Sequence, residues 1–166
     1  AGVRYVQLNT NGVRLGREAG YAKRLKEAGL SFVFLQFDGL TDRVYETLRG
    51  GPLLEVKQRA IENCAAAGLG VTLVPMLVPG VNTDQVGELI RFGIARSPGV
   101  RGVHFQPVSY FSRGAEARDE ERYTLDQLLW DVEEQTGGLV GRDQLYPSCC
   151  DHPRCGFHGD FMVGPE

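Results

Sequence analysis

The sequence predicts an α/β fold, a partial (β/α) barrel of TIM-like type with about four parallel β/α units, followed by a Cys-rich loop. Three observations predict it. Four apolar runs ending in polar or glycine-rich turns are distributed along the 166 residues. Each is followed by a stretch with helical periodicity. Two of the runs are apolar at almost every position, which is how strands read when both faces of a parallel sheet are covered. Right-handed crossovers curl successive β/α units into part of a barrel.

The elements follow in order. The first strand is expected in "VRYVQLN", Val3 to Asn9, and its helix over Glu18 to Ala28. "SFVFLQF", Ser31 to Phe37, is the second strand, with a helix over Leu53 to Ala67. "GVTLVPML", Gly70 to Leu77, is the third, followed by a helix over Thr83 to Ala95. "VRGVHFQPV", Val100 to Val108, is the fourth, and its helix runs from Thr124 to Gln135. Val86, Leu89, Ile90, Gly93 and Ile94 make an i, i+3, i+4, i+7, i+8 stripe, and Leu125, Leu128, Leu129 and Val132 repeat its first four members. Thr124 with Gln127 fits a capping box, and Asn82 with Gln85 suggests a related cap for the third helix. Gly29 and Gly68 stand where helix C-termini want a left-handed residue.

Four units do not close an eight-stranded barrel. The expected first strand starts within a few residues of the N-terminus, and the cysteine stretch lies equally near the other end. The expectation is therefore a piece of a larger domain: residues 1–136 form the latter part of a barrel core, and residues 137–166 form a Cys/His-rich metal-binding segment continuing beyond the chain.

Composition narrows the function. The chain is 42% hydrophobic with a formal net charge of -3, and no Lys/Arg cluster stands out, so neither nucleic acid nor an anionic membrane is an expected partner. "RDEER", Arg118 to Arg122, reads as a solvated linker. No apolar run is long enough for a transmembrane segment and no signal peptide is visible. Four cysteines, three of them clustered, suit metal ligands in a reducing, cytoplasmic compartment better than a disulfide framework.

Ligands of parallel β/α folds bind at the carboxyl ends of strands. With a period of two, Gln7, Asn9 and Asn11 share one face, Gln36 and Asp38 another, and His104 and Gln106 a third. Pointing inward together, they would build one polar layer at a barrel mouth. The alternative is that these amides and Asp38 satisfy turn backbones. Asp38 reads as a turn-stabilising carboxylate, and His104 as a substrate contact or a hydrogen-bonded core residue.

The stretch "YPSCCDHPRCGFHG", Tyr146 to Gly159, holds Cys149, Cys150 and Cys155 with His152 and His158. Thiolates in one loop, with Pro147, Pro153 and Gly156 to tighten it, suit an iron–sulfur cluster or zinc. Free thiols with one incidental disulfide are the alternative. Cys64 falls on the apolar face of the second helix and reads as a small buried hydrophobe. Trp130 and Met76 read as core.

The segments "LNTNG" (Leu8 to Gly12), "FLQFDG" (Phe34 to Gly39), "LRGG" (Leu48 to Gly51) and "GLGVTLVPMLVPGVN" (Gly68 to Asn82) resemble strands three to five of a radical S-adenosylmethionine (radical SAM) enzyme. They are similar to the molybdopterin-precursor cyclases. With "HFQPVSYFSRG" (His104 to Gly114) and "PSCCDHPRCGF" (Pro147 to Phe157), the chain more closely resembles the branch of the tetraether lipid synthases and methanopterin C-methylases. The resemblance implies a partial barrel of the radical SAM type that binds S-adenosylmethionine. It places Thr10 and Asn11 at a strand end facing cofactor or substrate, and Gln36 where the family has a serine against the methionyl part. It sets Asn82 against the ribose, a role open beside that of helix cap, and Gln106 and Val108 near the adenine. It favours an auxiliary iron–sulfur cluster on Cys155 with Cys149 or Cys150, while the spacing alone leaves zinc open.

The family's C-x3-C-x2-C, which holds the principal [4Fe-4S] cluster, is absent from the sequence, as is its G-G-E strand. Both belong upstream of "TNG". The expectation is part of an enzyme in which a cluster, fed by an electron donor, cleaves S-adenosylmethionine to a 5'-deoxyadenosyl radical for C–H activation. Carbon–carbon bond formation or C-methylation of a small-molecule, pterin-like or lipid-like substrate is implied; the chain alone should be inactive. Alternatives are another β/α-barrel metalloenzyme or a non-catalytic module with a structural metal clip.

Overall fold

Strand β2 (Phe32–Gln36) and the residue after it organise the molecule, because Val33, Leu35 and Phe37 are all fully buried while Phe32, Phe34 and Gln36 between them are half-buried. That alternation marks a sheet with helices on one face. The computed structural model describes residues 2–110, 122–147, 152 and 155–164. Among them, β1 (Gln7–Thr10), β2, β3 (Gly70–Val74) and β5 (Val100–Val103) form one parallel sheet in that order. The register runs Thr10 to Leu35 across β1–β2 and Leu35 to Leu73 across β2–β3. Short strands β4 (Met76–Leu77) and β6 (Gln106–Pro107) continue β3 and β5 as a second parallel pair. Pro75, which lacks an N–H, separates β3 from β4, yet its carbonyl still accepts from Gln106 N–H at 2.9 Å.

The expected parallel β/α alternation is present, with shifted boundaries. β1 starts at Gln7, not Val3. Val3 to Val6 are exposed, and only Val6 is tied to the sheet, its carbonyl accepting from Ser31 N–H at 2.9 Å and its N–H donating to Ser31 Oγ at 3.0 Å. The first helix is two, α1 (Val13–Arg17) and α2 (Tyr21–Glu27), broken before Gly20 at φ 75°. An unexpected helix, α3 (Asp42–Arg49), precedes α4 (Leu54–Ala66). Its buried residues are Val44 and Tyr45, too few to announce it by periodicity. A 3-10 turn (Thr83–Gln85) leads into α5 (Val86–Ile94), and α6 (Leu125–Thr136) follows.

The core lies between sheet and helices: Val33, Leu35, Val71 and Leu73 pack on Leu15, Ala60, Ile61, Cys64 and Leu89. Gly16 lets α1 lie on α4, since a Cβ there would stand 2.1 Å from the Val56 carbonyl oxygen. A smaller core joins Leu77 and Val86 to Leu128, Val132 and Val140. The capping box of Thr124 and Gln127 is formed, and Gln135 fixes α6 to α5 by accepting from Gly87 N–H at 3.1 Å and donating to Thr83 O at 2.8 Å. Gly29 and Gly68 have the left-handed φ expected of helix ends. Asn82 does not cap the third helix, because its side chain is spent elsewhere.

Two core assignments change. Trp130 is 57% exposed, with the Arg142 guanidinium 3.3 Å over its ring. His104 is exposed on the helix-free face, against the Phe34 ring at 5.8 Å. Met76 is half-buried, and Cys64 is buried as expected. A two-residue hairpin, β7 (Tyr146–Pro147) with β8 (Phe157–His158), pairs Tyr146 with His158 and Pro147 with Phe157. Among the described residues no helix is long and apolar enough to cross a membrane.

Candidate functional site

The turn leaving β1 is built by the two side chains flagged there. Thr10 Oγ1 accepts from Gly12 N–H at 3.0 Å, and Asn11 Oδ1 accepts from Val13 N–H at 3.1 Å. Short side chains that bond the backbone two residues on hold such turns. Gly12 has φ 72° and sits so close to β2 that a Cβ would lie 2.2 Å from Leu35 Cδ1. The turn before α1 is thereby held to glycine, in conformation and in space.

Beneath the turn lies Lys57 of α4, a lysine with no exposed surface. Its Nζ donates to Asn11 O at 2.5 Å and to Gln36 O at 2.8 Å. Burial pushes its pKa down to about 8; the charge on Asp38 opposes that shift and the one on Arg49 adds to it. Sequence reading passed over this residue, although Lys57, Ala60, Ile61 and Cys64 stand at i, i+3, i+4 and i+7 on one buried stripe.

Asp38 is also fully buried, and so lies beneath any open polar layer. Arg49 Nε donates to its Oδ2 at 2.9 Å and Nη2 to its Oδ1 at 3.0 Å, while Met76 N–H donates to Oδ1 at 3.2 Å. The carboxylate holds the Arg49 guanidinium above its ordinary pKa. Gln36 meets the same guanidinium: with its amide oxygen toward Arg49 it accepts from Nη1 at 3.2 Å and Nη2 at 2.7 Å. Arg49, the second residue of "LRGG", thus links Gln36 to Asp38.

Asn82 is buried behind this edge. Its Nδ2 donates to Asp38 O at 2.7 Å and Met76 O at 2.8 Å, and its Oδ1 accepts from Val78 N–H at 2.8 Å. Both amide hydrogens are spent, so the side chain stitches the loops after β2 and β4 together. Gln106, exposed at the start of β6, and half-buried Val108 just beyond that strand lie further along, Val108 N–H donating to Leu77 O at 2.9 Å. On the face without helices, Gln7 and Asn9 are exposed and bonded to each other at 2.5 Å. The strand ends thus run Thr10 and Asn11, Gln36, then Gln106 and Val108, across β1, β2 and β6.

This arrangement offers hydroxyl and amide groups that can donate and accept beside a helix-free face, with the nearby charges paired or buried below. Such groups suit hydrogen bonding to a polar small molecule. A metal fits less well: among the described residues no three His, Cys, Asp or Glu side chains are grouped to hold an ion. Cys155 is exposed and its N–H donates to His152 O at 2.7 Å; Cys149 and Cys150 lie outside the described residues.

A family model described as the radical SAM superfamily matches residues 1–93. The chain belongs to the radical SAM superfamily. It is 46% identical over 148 residues to a 7,8-dihydro-6-hydroxymethylpterin dimethyltransferase of Methanocaldococcus jannaschii, covering 88% of this chain and 29% of that protein. Over 119 residues it is 33% identical to a GTP 3',8-cyclase of Alkaliphilus oremlandii, covering 70% of the chain and 36% of the cyclase. A mycofactocin maturase of Mycobacterium ulcerans is 30% identical over 124 residues, 75% of this chain and 32% of the maturase. The chain spans about a third of the length of these curated relatives. This is an enzyme superfamily, and it implies S-adenosylmethionine and a [4Fe-4S] cluster. The radical SAM strand-end groups suit the first; nothing among the described residues offers the ligands of the second. Zinc finds no support in the family or in those residues.

Proposed function

We propose that this chain is the S-adenosylmethionine-binding β/α portion of a radical SAM enzyme that carries out C-methylation or carbon–carbon bond formation on a small substrate, pterin-like or lipid-like. The observation that carries the reading is the row of Thr10, Asn11 and Gln36 at the strand ends of a sheet whose one face lacks helices. In this reading the sheet is a segment of a partial TIM-like barrel and the helix-free face is its lumen. Residues 1–136 form the barrel portion, and residues 137–166 a metal segment in which Cys155 with Cys149 or Cys150 holds an auxiliary cluster. An electron donor and a reducing, cytoplasmic setting belong to the same picture.

S-adenosylmethionine bound at this edge supplies, with a reduced cluster whose ligands lie outside this sequence, the radical that activates a C–H bond. The chain's own part is to bind and orient. Gln36 presents an amide fixed by Arg49 to the methionyl end, and the Thr10–Asn11 turn lines the floor. Gln106 and Val108 bound the adenine side, one polar and one apolar. Asn82 acts through the loops it ties and not by touching ribose, because its hydrogens are committed.

Calorimetric titration of the chain with S-adenosylmethionine tests this reading. Binding that weakens about tenfold in Gln36→Ala, the loss of roughly one charge-assisted hydrogen bond, is expected. A folded chain that takes up no S-adenosylmethionine refutes it. After anaerobic iron reconstitution with strong reductant, the chain should form no 5'-deoxyadenosine; its detection would overturn the placing of the cluster ligands outside these residues.

A further inference from the structure

The β1–β2 ladder ends with Thr10 opposite Leu35, and the next carbonyls, those of Asn11 and Gln36, have no strand partner in each other. Lys57 reaches both from α4, at 2.5 and 2.8 Å. Its ammonium therefore supplies a further rung where the ladder has run out. A charged donor makes that rung stronger than a neutral one. It is set from below, with no surface of its own, so it does not compete for the mouth of the site.

The residues it joins are those that carry the cofactor reading. Asn11 O belongs to the turn whose Gly12 and Val13 amides are held by Thr10 and Asn11 side chains. Gln36 O belongs to the residue whose amide is fixed by Arg49. We propose that Lys57 is a positioning residue that clamps the carboxyl ends of β1 and β2, so that the geometry of Thr10, Asn11 and Gln36 toward S-adenosylmethionine depends on its ammonium. The cofactor half of this inference rests on the proposed function above.

The groups around Lys57 are Asp38 after β2 and Arg49 on α3, with the Tyr45 ring 5.7 Å from Nζ. Arg49 stays charged beside Asp38, so the charge that changes first with rising pH is that of Lys57, at about 8. A merely structural lysine would alter global stability; a clamp alters the strand ends selectively.

Amide hydrogen exchange on the chain separates the two. Lys57→Met should speed exchange at Gly12 and Val13 by about tenfold relative to Val71 and His104, whose amides bond Gly99 O and Leu73 O within the sheet. Lys57→Arg, which keeps a charged donor, should restore most of that protection. Equal change at all four amides, or none, overturns the clamp. Should Lys57→Met not fold, Lys57→Gln, a shorter uncharged donor, serves: faster exchange at Gly12 and Val13 relative to Val71 and His104 is expected, and equal change at all four amides overturns the proposal. S-adenosylmethionine affinity should weaken in Lys57→Met and hold in Lys57→Arg; equal weakening in both overturns the link to the cofactor. Absence of any binding to wild type at neutral pH removes the cofactor reading, and that half of the inference with it, while the exchange pattern still decides the clamp.

Discussion

Asp38 and Arg49 form a two-pronged ion pair, 2.9 and 3.0 Å long, in which the carboxylate is fully buried and the guanidinium side chain only 25% exposed. A buried carboxylate that loses its partner keeps the cost of its desolvation. Arg49→Met should therefore destabilise the fold by about 3–5 kcal/mol, with urea denaturation as the measure. Because Arg49 also holds Gln36, the same variant should weaken S-adenosylmethionine binding under conditions where it remains folded. A loss under 1 kcal/mol, roughly that of an exposed pair, would show the pair to be dispensable.

Gly12 answers to two constraints that can be separated. Gly12→Ala incurs about 1–2 kcal/mol for a left-handed alanine and a further cost of roughly 1–3 kcal/mol for crowding Leu35. Leu35→Ala costs about 2–5 kcal/mol by itself. The double variant removes the crowding but not the backbone cost, so its destabilisation should fall short of the sum of the two single ones. Strict additivity in denaturation experiments would count against the contact.

Stability should depend on pH in a sense set by three buried groups. Lys57 has a folded pKa of about 8 against an ordinary 10.5, so above 8 the unfolded chain binds more protons and stability rises with pH. Cys64 is pushed up from 9 to about 11, and Tyr45 is pushed up from 10; the stability each contributes below its unfolded pKa is lost as pH climbs beyond that value. The rise should therefore be visible between about 8 and 9 and be offset above that. Cys64→Ala should extend the rise toward 10, and Lys57→Met should abolish it. Thermal melts from pH 7 to about 10.5 supply the measurement.

For the cysteine segment, iron and sulfide analysis of the anaerobically reconstituted chain should find both, with broad absorption near the violet. The Cys149/Cys150/Cys155→Ala variant should carry neither. Retention of iron and sulfide in the variant would place the ligands elsewhere, and a colourless wild type would remove the auxiliary cluster.

Much of this fold was legible because burial writes itself into periodicity. Leu128 and Val132 lie on the α6 stripe their spacing announces, whereas β2 and β3, read as apolar at almost every position and covered on both faces, bury Val33, Leu35, Val71 and Leu73 and leave Phe34 and Thr72 half-buried. α3 was not legible: two buried residues among eight make no stripe, and its role is to deliver Arg49 to Asp38, a pairing across 11 positions that no local pattern carries. The strand ends were legible as polar interruptions, and two of those residues, Asn11 and Gln36, are neighbours there through Lys57, whereas Thr10 was placed by resemblance. What could not be read was which of those polar groups is spent. Asp38 read as a turn-stabilising carboxylate and Asn82 as ribose contact or helix cap, but the partners that saturate them, Arg49 and the Met76 amide for Asp38 and the Asp38 and Met76 carbonyls for Asn82, come from distant positions. Lys57 was hidden by habit, since a lysine in a helix is most often solvated; its place beside Ala60, Ile61 and Cys64 was the signal.

The pairing of Tyr146 with His158 and Pro147 with Phe157 has a kinetic consequence for the cysteines between them. Joining the two flanks closes a short ring, and most of the entropy of bringing distant thiolates together is then met by the hairpin before any metal arrives. Once one thiolate has captured an ion, its neighbours are presented at the high effective concentration of a short tether. Departure then requires several bonds to open at once, so an ion held by more than one of these thiolates would exchange slowly.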